Sequence, residues 1–411
     1  MTDVVIAGIG QTEVGEHWEI SLRDLALDAI QAAFKDCRGE VISPRSSEVI
    51  SPHSGGNSGG MIPPLQPQAL FVGNMLAPNL SNQAHLGALI ADYAGLTGIE
   101  AITVEAAGAS GGAALRQAYL AIKSGMVDVA LVVGVEKFTD KIGSEVEEAI
   151  ATTSDSDFEA VQGMTATAQA ALLMKRYMHE NNVPANGFAG FALTAHANGV
   201  ANKNAMFRKA IKSETYSKAE MVNDPLNMFD AAPNADGAAA LVLTRRDLLP
   251  SDWKRPIVKI AGSAASSDTL ALHDRKDMLY FDTAQISAGK AMKQAGVMLD
   301  QIDFFEYHDA FSIYAALSLE AVGFAIKGRG WKLAEDGTIG LNGRIPCSTM
   351  GGMKARGFPG GAAGVYQAVE AVTQLWGRAE ANQIVGAKFG LIQSLGGPAS
   401  TAVSHILQKL D

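Results

Sequence analysis

Cysteine is nearly missing from this 411-residue chain: Cys37 and Cys347 are the only two. That count excludes a disulfide framework and a four-cysteine zinc site. Positive charge is scarce too. Thirty-three lysines and arginines face 43 aspartates and glutamates, a net charge of −10, which argues against nucleic acid or an anionic membrane as partner. The longest apolar run, VDVALVVGVE, is far short of the roughly 20 residues a membrane span needs. MTDVVIAGIG lacks a basic leader region, so no signal peptide is expected and the protein is placed in the cytoplasm. GIGQTE lacks the third glycine of a dinucleotide fingerprint, and no phosphate-loop lysine follows a glycine run. No histidine–acid spacing suggests a metal. What remains is an ordinary globular composition, 47% hydrophobic and rich in turns with 43 glycines. The length calls for two or three domains.

Strand and helix patterns alternate twice. DVVIAGIG is a continuous β-branched run, as a strand buried on both faces requires. In SLRDLALDAIQAAFKD, Ser21 is placed to cap a helix whose Leu22, Leu25, Ala26, Ala29, Ile30 and Ala33 share a face. ALFVGNM, NQAHLGALIADYAG and DVALVVGVEKF continue the first half. PIVKIAG, TAQISAGKAMKQAG, DFFEYHDAF, SIYAALSLEAVG, a glycine-rich turn and KFGLIQSL repeat the order in the second. The expected fold class is α/β, with two similar β-α-β-α-β halves in a layered α/β/α arrangement. Residues 1–138 form the first half, 139–225 an inserted, mainly helical lid or substrate-binding segment, 226–250 a return strand, and 251–411 the second half. Glu40 to Gln66 reads as an irregular surface loop from its Ser/Gly/Pro content.

One stretch invites chemistry. VEAAGASGGAALRQA reads as a strand end, a turn of small residues and a helix start, a geometry that seats a reactive group at a helix N-terminus. Here the turn offers only Ala106, Ala107, Gly108, Ala109 and Ser110.

With that stretch, VGNM, IADYAGL, GVEKFTD, FDAAPNADGAAALVL, YHDAF, GGMKARGFPGGAAG and LGG follow in order along nearly the whole chain. As a set they resemble the thiolase superfamily, in particular archaeal acetyl-CoA acetyltransferases and sterol-carrier-type thiolases. The resemblance implies a coenzyme A thioester as substrate or ligand, no covalently bound cofactor, a homodimer or tetramer, and for this branch a small OB-fold, zinc-ribbon partner protein. In the family the position of Gly108 is a cysteine that accepts the acyl group as a thioester. The family's Gly-His-Pro turn is Gly357-Phe358-Pro359 here, and its late Cys-x-Gly is Ser394-Leu395-Gly396. The fourth motif keeps its histidine as His308. Gly108 has no side chain to acylate and Phe358 no lone pair to lend. The amides of Gly108 and Gly396 match the family's oxyanion hole, since a peptide N–H needs no cysteine side chain.

His308 is therefore a donor to a thioester oxygen or a proton shuttle, or else a structural histidine at a strand end. Asp309 is expected to cap the following helix, Ser110 the first turn of its own, and Cys347 to be a small buried hydrophobe on a strand. Ser394 replaces a proton carrier only if a neighbour lowers its pKa. Phe358, Met350, Met164, Ser110 and His196 are the substrate-contact candidates, Met164 because MTATAQ resembles the family's tunnel-lining motif. Arg208, Lys209 and Lys212 read as solvated charge. Three activities are compatible with the pattern. One is carbon–carbon bond cleavage or formation of aldolase type beside a thioester; the second is a non-catalytic acyl-CoA-binding subunit, and the third acetyl transfer by another nucleophile such as Cys347.

Overall fold

The computed structural model describes residues 2–37 and 65–410. The Glu40–Gln66 loop lies outside the described residues, apart from its last two. The first half runs β1 (Val4–Gln11), α1 (Leu22–Cys37), β2 (Ala69–Gly73), α2 (Ala77–Leu80), α3 (Leu86–Tyr93), β3 (Glu100–Val104), α4 (Ser110–Ser124) and β4 (Val129–Glu136). An excursion then carries α5 (Gly143–Ala151), α6 (Ala166–Asn181), α7 (Ala189–Gly199), α8 (Ser213–Ser217) and the hairpin β5 (Met221–Asn223) and β6 (Leu226–Asn227). β7 (Gly237–Arg245) returns to the sheet. The second half runs β8 (Ile257–Ser267), α9 (Asp282–Ala295), β9 (Phe304–Glu306), α10 (Ser312–Val322), α11 (Gly330–Glu335), α12 (Ala363–Leu375), β10 (Phe389–Gly396) and β11 (Thr401–Leu410).

One nine-stranded sheet has the order β3-β2-β4-β7-β1-β8-β11-β10-β9. Outward from the central β1–β8 pair, both halves repeat one plan: β1, β7, β4, β2 on one side and β8, β11, β10, β9 on the other. Among the described strands of this sheet, ladders are parallel only between β2 and its two neighbours and between β9 and β10. Where β3 joins β2 in the first half, the second half has a single parallel bridge from Phe305 to Cys347. The strand expected around Cys347 is thus one bridge long, because Ser348 turns away at φ +45°. β4 is buried at every position, which is why its sequence runs apolar without alternation.

α1 covers the outer face of β1 and β7, and α9 that of β8 and β11. α4 and α12 lie between the halves, each packed on strands of both. Helices outside each half and shared helices in the middle give the layered α/β arrangement the sequence implied. The two central helices start at backbone contact. A Cβ on Gly364 would lie 2.3 Å from the Gly112 amide nitrogen, and one on Gly112 2.8 Å from Ser394 Oγ. Side chains there would wedge the halves apart. Because both helices are preceded by turns, this crossing also brings the two turns face to face.

Candidate active site between the two turns

The first turn links β3 to α4. Ala107 sits in the left-handed region at φ +50°, at a cost of about 1 kcal/mol for a residue with a Cβ. Ser110 holds it there: its hydroxyl donates to the Ala107 carbonyl at 2.6 Å and accepts from the Ala106 amide at 2.9 Å. Ser110 thus ties the turn to the start of α4 but does not give the side-chain cap expected of it, because its hydroxyl serves Ala106 and Ala107 rather than an amide of the helix's first turn. The second turn is a five-residue π turn, Gly352–Arg356, a distortion that recurs at functional sites. Gly357 leaves it at φ +104°, and Phe358 is pinned by its amide to Pro233 and its carbonyl to Ala235.

These segments meet at one point. A Cβ built on Gly108 would stand 2.8 Å from the Leu395 carbonyl oxygen and 2.9 Å from His308 Cε1. A Cβ on Gly396 would stand 2.7 Å from the Ala106 carbonyl oxygen. The Phe358 ring meets His308 edge-on, with centroids 5.5 Å apart. Gly108, Gly396, His308 and Phe358 therefore converge, with the imidazole over the bare Cα of Gly108.

His308 is 3% exposed and its Nδ1 has no protein partner. Burial, with the Arg356 charge added, holds its pKa down to about 3. At neutral pH it is an uncharged imidazole, a poor base but a competent N–H donor to a developing negative oxygen. Its neighbours belong to a buried charge cluster. Asp309 accepts from the Met353 amide at 2.8 Å rather than capping α10, which has no side-chain cap. The demand of the tight π turn for an acceptor outweighs that of the helix end. Glu306 accepts from the Thr349 amide and hydroxyl at 3.0 and 2.5 Å. Lys354 donates to the Asp230 carbonyl at 2.6 Å, and Arg356 Nε lies 3.5 Å from Glu370 Oε1. Burial pushes Glu306, Asp309 and Glu370 up and draws Lys354 down to about 8.

A second brace, Glu136 at the end of β4, fastens the turns across the halves. It accepts from the Met75, Leu76 and Gly361 amides and from Asn74 Nδ2, at 2.8 to 3.1 Å. Burial nonetheless outweighs these bonds and raises its pKa to about 7. A carboxyl raised in the folded state contributes stability that is complete below its unfolded value near 4.5 and is lost as pH climbs through 7. Relative to Glu136→Gln, which does not titrate, the wild type is expected to lose about 3 kcal/mol of its standing between about pH 4.5 and 8. Urea unfolding of both proteins at several pH values measures this.

Ser394 is buried in the helix crossing and donates to Gln367 Oε1 at 2.9 Å; no charged neighbour activates it. The Met350 sulfur accepts from Asn382 Nδ2 at 3.7 Å, and Met164 is half-buried before α6. His196 stacks on Phe207, whose amide donates to the Ala355 carbonyl of the second turn, and meets Phe229 edge-on; burial, with the Lys354 charge of that turn added, lowers its pKa. Cys347 is fully buried in the core and its thiol is pushed far up by burial. Arg208, Lys209 and Lys212 are exposed. Among the described residues, no group of three or more His, Cys, Asp or Glu is placed to hold a metal, and no helix is long and apolar enough to cross a membrane.

Comparison with known proteins bears on what this geometry is. Residues 57–247 match the thiolase N-terminal domain and residues 264–409 the thiolase C-terminal domain-like family. The chain is 38% identical over its whole length, and the whole of the relative, to an acetyl-CoA acetyltransferase of Methanothermobacter thermautotrophicus. It belongs to the thiolase superfamily. This thiolase-superfamily chain is also 28% identical to the benzoylsuccinyl-CoA thiolase subunit BbsB of Thauera aromatica, over 90% of itself and 89% of that protein. Among solved structures the fold matches an Ltp2–ChsH2(DUF35) aldolase, with TM-score 0.79 at 21% identity over 99% of this chain and 98% of that one. Human mitochondrial 3-ketoacyl-CoA thiolase matches with TM-score 0.71 at 18% identity, over 100% and 99%.

Glu136, Arg356 and Glu370 received no role from the sequence. Glu136 and Arg356 lie inside the landmark motifs GVEKFTD and GGMKARGFPGG, so a signal existed. A lone glutamate in a strand and a basic residue in a glycine turn do not reveal, as sequence, which backbone groups they will meet.

Proposed function

We propose that this chain binds an acyl-CoA thioester between its two turns and acts on it without an acyl-cysteine intermediate, by carbon–carbon bond cleavage or formation of aldolase type. The observation that carries this reading is the His308 ring lying 2.9 Å from the Cβ position of Gly108. In this superfamily that position is the place of the acyl-accepting thiol; here it has no thiol and no room for one. Phe358, in the place of the activating imidazole, supplies an apolar wall. In the cleavage direction the hydroxyl of a β-hydroxyacyl thioester gives its proton to water as the Cα–Cβ bond breaks, and the electron pair of that bond passes into the thioester. The products are a carbonyl compound and a thioester enolate, which is then protonated at Cα. The neutral His308 N–H, with the amides of Gly108 and Gly396, stabilises the enolate oxygen. Relatives named acetyl-CoA acetyltransferase and benzoylsuccinyl-CoA thiolase support the thioester. A fold-mate named as an aldolase agrees with the reaction class.

Incubation with acetyl-CoA is expected to leave the intact mass unchanged, Cys347 included. A β-hydroxyacyl-CoA panel is expected to show cleavage that His308→Ala lowers by about a hundredfold or more with little change in KM, since the donor acts on the transition state. An acyl adduct on any residue, or cleavage indifferent to His308, refutes the proposal. Binding of every thioester without turnover points instead to a non-catalytic subunit. The aldolase fold-mate is named together with a DUF35 chain, which favours a small OB-fold, zinc-ribbon protein as partner here as well. We further propose a homo-oligomer joined through β3. It is an edge strand with Glu100, Ile102 and Thr103 facing solvent, Ile102 at 52% exposure, and such an edge invites a second strand. Light scattering is expected to give at least twice the 43.0 kDa chain mass, and Ile102→Lys to lower it.

A further inference from the structure

Arg275 and Tyr314 stand behind the aromatic side of the site, and the mechanism above uses neither. Arg275 is 7% exposed, and its bonds go to carbonyl oxygens: Nε to Thr269 at 3.1 Å and Nη1 to Pro398. Its Nη2 has no protein partner. Tyr314 is 2% exposed and its hydroxyl has none either. The two lie close enough for the Arg275 charge to oppose the burial that raises the tyrosine pKa. Buried donors without acceptors are costly, so a neighbouring pair of them calls for a polar partner from outside the protein, water or ligand.

Two connections tie the pair to the reaction centre. Pro398, held by Arg275, lies two residues beyond Gly396. The Tyr314 ring meets Phe311 edge-on at 5.1 Å, Phe311 shares an apolar cluster with Phe358, and Phe358 meets His308. An acyl chain passing Phe358 and Phe311 would therefore end on two hydrogen-bond donors. Charge decides what those donors take. Glu159 and Asp268 both act on Arg275, and Glu159 is itself 7% exposed, with Oε1 accepting from the Leu272 amide at 2.8 Å. Two carboxylates around one guanidinium leave no surplus positive charge for an anion, so a neutral acceptor fits better than a carboxylate.

We propose that Arg275 Nη2 and the Tyr314 hydroxyl form a subsite for a neutral carbonyl oxygen carried on the acyl chain beyond the thioester. It selects oxo-acyl over plain acyl groups, and it rests on the CoA-thioester reading above. Calorimetry compares 4-oxopentanoyl-CoA and 6-oxoheptanoyl-CoA with pentanoyl-, heptanoyl- and glutaryl-CoA and with free CoA. At least one oxo ester is expected to bind about tenfold or more tighter than its plain counterpart, and tighter than glutaryl-CoA. Tyr314→Phe, which removes only the hydroxyl, is expected to cut that gap about threefold or more. Plain-ester affinity is expected to stay unchanged in Tyr314→Phe, whereas Arg275→Lys, which keeps the charge but loses the fork that also holds Pro398, is expected to cut the gap further and to weaken plain esters as well. Equal binding of oxo and plain esters, a gap indifferent to Tyr314→Phe, or tightest binding by glutaryl-CoA overturns the inference while leaving the CoA reading intact. No binding by any ester or by CoA overturns both.

Discussion

Replacing Gly108 by cysteine is expected to give a less stable protein that still carries no acyl group after exposure to acetyl-CoA and shows no thiolysis. Two independent features of the site lead to that result. The first is space. The new Cβ would lie 2.8 Å from the Leu395 carbonyl oxygen and 2.9 Å from His308 Cε1, well inside ordinary contact distance. The imidazole has some freedom to yield; the Leu395 carbonyl belongs to β10, paired with β11 along its whole length, and has little. Overpacking of this kind costs about 1–3 kcal/mol. The second is activation. The α4 N-terminus would favour a thiolate there, but forming one also needs a base to take the proton. The facing ring is Phe358, while His308, with a pKa of about 3, is too weak a base to take the proton. Gly108→Ala separates the two effects, because it carries the same Cβ without sulfur and is expected to lose similar stability by denaturant unfolding. Turnover of acetoacetyl-CoA and CoA by the cysteine variant would show that the turn is a thiolase site lacking only its sulfur.

The halves of this fold were legible because their strands are buried on both faces. Apolar runs such as VALVVGVE and the repeated strand–turn–helix order survive as patterns that one sequence displays. Gly108, His308, Phe358 and Gly396 were singled out by motif, and the structure brings them to one point. Met164, Met350 and His196 were named from motif alone, and which groups such side chains meet depends on what the chain brings near. The cap expected of Asp309 failed for a related reason. Helix capping is a local rule, whereas the competing Met353 amide arrives from 44 residues away. The braces beneath the site were invisible for the same cause: the four donors around Glu136 come from two segments far apart in the chain, Asn74 to Leu76 and Gly361. No spacing along the chain encodes that.

Arg356 is the residue whose loss should be felt most widely. Its guanidinium is 1% exposed and lies 3.5 Å from Glu370 Oε1, with the Tyr366 ring 5.0 Å away. It also lowers the pKa of Glu306, Asp309 and Glu370, which burial alone would raise still further. Arg356→Met keeps much of the stem and removes the charge, leaving buried carboxylates without their cation, a loss of about 3–5 kcal/mol. The penalty has a direction in pH. Carboxyl groups raised in the folded state cost stability as pH rises through their folded values. Removing the cation raises those values again, so the variant is expected to fall further behind the wild type at about pH 9 than at about pH 6. Adding Glu370→Leu removes one orphaned carboxylate and is expected to restore a large part of the loss, which a double-mutant cycle by urea unfolding reads directly. The same substitution reaches the site. The Arg356 charge is one of the two causes that depress His308, so without it the imidazole proton is expected to titrate at higher pH by NMR, with burial holding it below the ordinary histidine range. An unchanged His308 titration alongside a full loss of stability would mean that Arg356 serves the fold alone, and that the neutrality of the imidazole over Gly108 comes from burial without help from the charge cluster.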